Sequence, residues 1–187
     1  MVTKKVLNRK GKYLSLILRH EPDQAGITLD SGGWTDVGAL LLAIKLSLPE
    51  LEEIVAADEK GRFEFSDDRT KLRASQGHSV EVDLGYEIKI PPQYLYHGTS
   101  RNNFAGIRDN GLMKMDRHDV HMFDSHQQAL EVATKRRPNP AVLKIAAQEM
   151  ATNGYQFKLS TNNVWLTEIV PPRYLWVDES LLVSIDI

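Results

Sequence analysis

The residues best suited to chemistry in this chain are basic ones, and they come in company. Arg19 and His20 stand side by side where an apolar helix ends, in Ser15-Leu16-Ile17-Leu18-Arg19-His20-Glu21-Pro22. Arginine offers a planar, permanently charged fork that matches a phosphate, and histidine exchanges a proton near neutral pH. A basic pair at a helix C-terminus can also serve simply to oppose the helix dipole, so these two gain meaning from their companions. Arg62 opens a strand after Lys60-Gly61, and Lys135-Arg136-Arg137-Pro138 closes a helix just ahead of another strand. Gln76-Gly77-His78-Ser79 reads as a polar turn; its Gly permits close backbone approach, and Gln and His can hydrogen-bond a substrate. His97-Gly98-Thr99 follows a run of β-formers and can offer hydrogen bonds to a ribose and an amide-like group.

Several chemistries drop out on pattern and composition. The chain has no cysteine, which removes disulfides, thiolate metal sites and Cys nucleophiles. It lacks GxGxxG, Walker A and GxSxG patterns, so Rossmann-type dinucleotide binding, P-loop chemistry and Ser hydrolysis are disfavoured. Arg117-His118-Asp119-Val120-His121 puts two histidines three apart with His126 nearby, but no helical pattern aligns them on one face, and no metal is expected. With 42% hydrophobic and 26% charged residues, the 187-residue chain has the composition of an ordinary globular protein. Its net charge of -2 means that any nucleic acid must meet a local basic surface. No apolar run approaches the ~18 residues of a spanning helix, so no membrane partner is expected. No signal core follows Met1-Val2-Thr3-Lys4-Lys5, and a cytoplasmic location is expected.

The elements that must position these residues are legible from periodicity. Leu14, Ile17 and Leu18 share a helical face over residues 3–20, and Pro22 stops that helix close to Arg19-His20. Asp30-Ser31-Gly32-Gly33 signals a turn, after which Trp34-Thr35-Asp36 opens a second helix, with Thr35 or Asp36 as N-cap and Val37, Leu40, Leu41 and Ile44 inward. Ser47-Leu48-Pro49-Glu50 is a capping box that starts a third, through Leu51, Ile54 and Val55. The period then changes: residues 62–66 alternate, 67–70 turn, and 71–74 return as the second strand of a hairpin. Three helices followed by a hairpin is the order expected of a winged-helix module. A boundary falls between about 80 and 93, giving an N-terminal lobe over 1–85 and a C-terminal lobe over 86–187. The second lobe reads as a strand at 94–97, helices at 101–111 and 125–136, and a strand at 141–145. A short helix at 146–152 and strands at 156–159, near 169–170 and at 181–187 complete it.

Taken in order, these motifs resemble the NAD-dependent RNA 2'-phosphotransferases, the Tpt1/KptA family. The likeness runs from about residue 12 to about residue 176. It rests on Leu14-Ser15-Leu16-Ile17-Leu18-Arg19-His20, Gly33-Trp34-Thr35-Asp36, Lys60-Gly61-Arg62-Phe63 and Arg73-Ala74-Ser75-Gln76-Gly77-His78-Ser79. It continues through Leu95-Tyr96-His97-Gly98-Thr99, Arg117-His118-Asp119-Val120-His121, Pro140-Ala141-Val142-Leu143 and Asn163-Val164-Trp165-Leu166-Thr167. The resemblance implies an α+β fold with a winged-helix-like N-terminal lobe, an ADP-ribosyltransferase-like C-terminal lobe and a cleft between them. It implies catalytic roles for Arg19, His20, Arg62 and Arg136; an ungapped reading through Pro140 and Val142 selects Arg136 over Arg137. It implies NAD binding by His97, Gly98 and Thr99, with Arg117, His121 and Trp165 as further candidates, and substrate contacts from Gln76, His78 and Ser79. Two departures stand out: Pro138-Asn139 replaces the usual His-Gly-x-Pro context, and Met122-Phe123 stands where the family has Leu-Ser. The implied reaction uses NAD as a consumed co-substrate and no metal. An internal RNA 2'-phosphate attacks C1'' of the nicotinamide ribose, expelling nicotinamide; O2'' then attacks phosphorus, leaving a 2'-OH and releasing ADP-ribose 1'',2''-cyclic phosphate. A monomer is expected.

Two other readings compete. One is a plain ADP-ribosyltransferase acting on nucleic-acid terminal phosphates or a protein; protein-modifying relatives of the fold that the resemblance implies rely on a Glu near the ribosyl cation, for which Glu168 is the tempting position. A winged-helix DNA-binding module would need a basic recognition helix. Residues 48–59 instead carry Glu50, Glu52, Glu53, Asp58 and Glu59 and no Lys or Arg, which would repel a duplex.

Overall fold

Leu14, Ile17 and Leu18 are each no more than 1% exposed, and they fix helix α1 (Lys4–Arg19) as the inner helix of its unit. The structure, a computed structural model, describes residues 4–136 and 138–177. The chain divides between Tyr86 and Glu87 into two compact units. In the first, α1 is followed by β1 (Thr35–Asp36), α2 (Val37–Ile44), α3 (Leu48–Ala56), β2 (Phe63–Phe65) and β3 (Lys71–Ala74). The strands form an antiparallel sheet in the order β1-β3-β2, with Phe63 opposite Ala74 and Thr35 opposite Leu72. Leu40, Leu51, Ile54, Phe63 and Leu72 close over the α1 stripe to make one apolar core. Each such side chain withdrawn from water contributes about 1.5–3 kcal/mol.

Local signals set the element ends. Asp36 caps α2 by accepting from the Ala39 N–H at 2.7 Å. At α3 the Glu50 carboxylate accepts from both the backbone N–H and the hydroxyl of Ser47, the return half of a capping box. Its other oxygen takes a 2.8 Å bond from Lys10 of α1, so one carboxylate both caps α3 and ties it to α1.

The second unit begins with β4 (Leu95–Ser100), α4 (Phe104–Asn110), β5 (Leu112–Met113), β6 (Val120–Met122), α5 (His126–Arg136) and β7 (Pro140–Ile145). It continues with α6 (Ala147–Thr152), β8 (Lys158–Leu159), β9 (Trp165–Thr167), β10 (Ile169–Val170) and β11 (Leu175–Val177). Two antiparallel sheets, β11-β7-β4 and β6-β9-β8, are joined by a backbone bridge between Tyr96 and Phe123, while β5 and β10 pair separately. Strands β4 and β7 run in register from Leu95–Ile145 to Ser100–Pro140. Leu95, Met122, Ile145, Met150 and Phe157 form the core of this unit, with Phe104 and Ile107 of α4 packed against it. No helix among the described residues is long and apolar enough to cross a membrane.

The molecule is thus mixed α+β. Some details depart from the sequence reading. Asp36 is the N-cap of the second helix, one of the two caps its sequence offers, but Thr35 and Asp36 also pair with β3, because Asp36 can cap α2 while its backbone is still extended. Tyr86-Glu87-Ile88-Lys89-Ile90 alternates in sequence as a strand would, yet it contributes a single bridge, Ile88 to Lys158, and both Ile88 and Ile90 are exposed. The short strands β5, β6, β9 and β11 have no counterpart in the sequence reading, since two- and three-residue strands carry too few residues for a period to register. The strand expected at 181–187 lies outside the described residues.

Its three hydrogen bonds, from Lys10 and twice from Ser47, hold the Glu50 carboxyl at about 2, below its ordinary 4.5. The stabilisation is present above pH 4.5 and is lost as the pH falls from there through about 2. Thermal melting across that window should therefore show a shallower pH dependence for Glu50→Gln than for the native chain; identical slopes would mean the triad carries no stability.

Candidate active site

In the first unit the end of α1 and the return from the hairpin meet. The last carbonyl of α1, that of Arg19, accepts from the backbone N–H groups of Ser79 at 2.9 Å and Val80 at 3.3 Å. This satisfies a helix-end acceptor and draws residues 75–80 against the helix terminus. Gly77, at φ +87°, makes the bend that brings Ser79 back. His20 is exposed, with Nδ1 2.9 Å from Ser79 Oγ. The half-buried Arg19 guanidinium reaches the Arg62 carbonyl through Nη2 at 3.4 Å. That carbonyl also accepts from the Ser75 N–H at 2.8 Å. Arg19, His20, Arg62 and Ser79 thus form one connected group, although they span most of the unit in sequence.

Each member of the group is held by its surroundings. Asp58 accepts from the Arg62 backbone N–H at 2.5 Å and from Arg62 Nη1 at 2.7 Å. The Ser75 hydroxyl donates to the Gly61 carbonyl at 2.8 Å, and the Tyr86 hydroxyl donates to the Ser75 carbonyl. His78 is 1% exposed, with its ring beside Gly33; Gln76 is half-buried. Neither Asp58 nor Ser75 was singled out from the sequence. Asp58 was counted with the acidic residues of 48–59, and its spacing of four from Arg62 is the signal that could have separated it. Nor is that acidic stretch a free negative face: Glu50 holds Lys10, Glu52 holds Arg69 and Asp58 holds Arg62.

In the second unit His97 and Thr99 share one face of β4 and Gly98 faces the other way. A Cβ on Gly98 would lie 2.1 Å from the Ala129 carbonyl oxygen, so this glycine lets α5 lie directly on the strand. Tyr96, on the same side, meets His126 of α5 edge-on at 5.6 Å. Arg136 is the last residue of α5. The loop after it is fastened to β4, where Ser100 Oγ donates to the Pro138 carbonyl at 2.5 Å and the Arg101 N–H donates to Asn139 at 2.9 Å.

On the other face His97 Nδ1 lies 2.8 Å from the His121 carbonyl, and His121 Nδ1 lies 2.7 Å from Arg117 Nη1. A carbonyl only accepts and a guanidinium only donates, so the two rings are assigned opposite tautomers. His97 carries its proton on Nδ1; neutral His121 carries it on Nε2. Between them the rings thus carry an acceptor nitrogen on His97 and a donor N–H on His121, the kinds of group that ribose hydroxyls match. Thr99 is buried, and its hydroxyl accepts from Asn103 Nδ2 at 3.3 Å. Trp165, 8% exposed, packs in the core on β9 beside β6, which carries His121. Phe123, where the family pattern has a polar residue, is used for the backbone bridge to Tyr96. Glu168 is exposed and pairs with Lys114 at 3.3 Å.

Grouped Arg and His in one unit are residue types suited to phosphate, and the donor-acceptor set in the other is suited to a ribose. The sequence matches the RNA 2'-phosphotransferase, Tpt1 / KptA family over residues 5–169. A protein of Burkholderia pseudomallei designated "Probable RNA 2'-phosphotransferase" is 46% identical over 175 residues, 91% of this chain and 95% of that one. Proteins of the same designation from Streptomyces coelicolor and Nostoc punctiforme are 44% and 46% identical over 169 residues, 88% of this chain and 91% and 93% of theirs. The chain belongs to the RNA 2'-phosphotransferase, Tpt1/KptA family.

Two outcomes follow from the second unit. Gly98→Ala should lower the melting point, by the equivalent of about 1–3 kcal/mol, because the new methyl must push against backbone; an unchanged melting point would mean α5 yields freely. Nitrogen NMR near about pH 9, where free imidazoles are neutral, should find the Nδ1–H tautomer at His97 and the Nε2–H tautomer at His121. Reversed tautomers would contradict the hydrogen-bond assignment.

Proposed function

We propose that this enzyme removes an internal 2'-phosphate from RNA, as at a tRNA splice junction, by transferring it to NAD. On this reading residues 1–85 are a winged-helix-like lobe that binds RNA and phosphate, and residues 86–187 are an ADP-ribosyltransferase-like lobe that binds NAD. NAD, consumed as co-substrate, supplies the ribose carbon that takes the phosphate and the hydroxyl that carries it away as ADP-ribose 1'',2''-cyclic phosphate, with nicotinamide released first. The observation that carries the reading is the convergence of Arg19, His20 and Arg62 on residues 75–79.

The residues then divide the work. Arg19, Arg62 and Arg136 grip phosphate oxygens and offset the charge that builds during phosphoryl transfer, in which positioning and electrostatics do most of the catalysis. His20 manages a proton or hydrogen-bonds the phosphate, with its ring oriented through Ser79. Gln76 and Ser79 contact the RNA from the turn; His78, expected as a third contact, is buried beside Gly33 and supports the turn from within. His97, Thr99, Arg117 and His121 hold the ribose and amide portions of NAD, while Gly98 and Trp165 shape the floor they stand on. The charge set asks for no metal.

Arg19→Ala, Arg62→Ala and Arg136→Ala should each lower turnover of a 2'-phosphorylated oligoribonucleotide by ~10²-fold or more, the cost of losing one electrostatic donor. Near-normal turnover in any one of them removes that residue from the site.

A further inference from the structure

We propose that Asp58 is a positioning residue for Arg62, holding its guanidinium in the orientation from which it meets the RNA phosphate. The proposal rests on the reading of Arg62 as a phosphate-gripping group. Both oxygens of the Asp58 carboxylate are spent on this one residue: Oδ2 takes the backbone N–H and Oδ1 takes Nη1. The exposure is asymmetric, 6% for the Asp58 side chain against 31% for Arg62. A surface ion pair made for solubility would leave both ends wet. Here the carboxylate is sunk, which is costly unless it is fully paired, and the guanidinium stands toward solvent from a fixed base.

The rest of Arg62 is restrained as well. Its carbonyl accepts from Ser75 and Arg19, so the backbone is held from both sides while the side chain is held near its tip. Arginine has five N–H donors; an acid that engages Nη1 leaves the others for an incoming phosphate. Much of the rotamer freedom that a free arginine would lose on gripping a phosphate is thus already removed. The Asp58 carbonyl also accepts from Gly61 at 2.9 Å, closing the turn between α3 and β2. A purely structural role in that turn is the competing account, and the two differ in what happens once Arg62 is gone.

The test uses the whole chain, NAD and an oligoribonucleotide bearing one 2'-phosphate, with single-turnover rates and melting points for Asp58→Ala, Asp58→Asn, Arg62→Ala and Asp58→Ala/Arg62→Ala. Asp58→Ala should slow turnover by ~10-fold to ~10²-fold, the scale of a misplaced contact. Asp58→Asn, which keeps an acceptor oxygen in the same place and guards against loss of folding, should fall between Asp58→Ala and the native chain. In the Arg62→Ala background Asp58→Ala should cost nothing further. An equal loss in both backgrounds, or normal turnover by folded Asp58→Ala, overturns the proposal and leaves the role of Arg62 standing. Normal turnover by Arg62→Ala alone contradicts the parent reading, and this proposal with it.

Discussion

A helix must end with carbonyls that its own turns cannot satisfy, and in this protein that constraint gathers the first unit's basic cluster. The Arg19 carbonyl takes two backbone N–H groups from residues 79 and 80, which lie sixty residues further along the chain. Because that bond holds the end of α1 to the segment leaving the hairpin, His20 meets Ser79 and Arg19 reaches the Arg62 carbonyl. The apolar stripe of Leu14, Ile17 and Leu18 supplies the rigidity, since all three are buried against the sheet and the other two helices. Core packing fixes the helix axis, and a few hydrogen bonds worth about 1 kcal/mol each fix what its end presents.

The same economy recurs in the second unit. Gly98 gives up its side chain so that α5 can lie on β4, and the opposite face of the strand presents His97 and Thr99. The backbone bridge from Tyr96 to Phe123 keeps β4 beside the segment that leaves β6, so the His121 carbonyl can set the tautomer of His97. The bridge uses backbone atoms, so it does not depend on which side chain stands at 123.

Much of this was readable in advance. The helical stripe of α1, the capping box of α3 and the hairpin 62–74 are local patterns, and they recur where the periods place them. The basic residues suited to a phosphate were legible as types. What brought Arg19 to Arg62 was not legible, because it depends on a carbonyl pairing with N–H groups that no side-chain pattern records. Asp58 was hidden for a related reason: an acid among acids reads as a charged face until its partner is known. Strand β1 was missed because Asp36 serves two elements at once, and residue type reports the cap more loudly than the pairing.

The central claim is that phosphate leaves the RNA only by passing to NAD. The direct measurement is to incubate the protein, in the presence of a chelator, with an RNA bearing one internal 2'-phosphate, with and without NAD, and to weigh all products. The account predicts loss of the phosphate only with NAD, accompanied by nicotinamide and ADP-ribose 1'',2''-cyclic phosphate. Phosphate loss without NAD, or an RNA that remains ADP-ribosylated at the end, would contradict it.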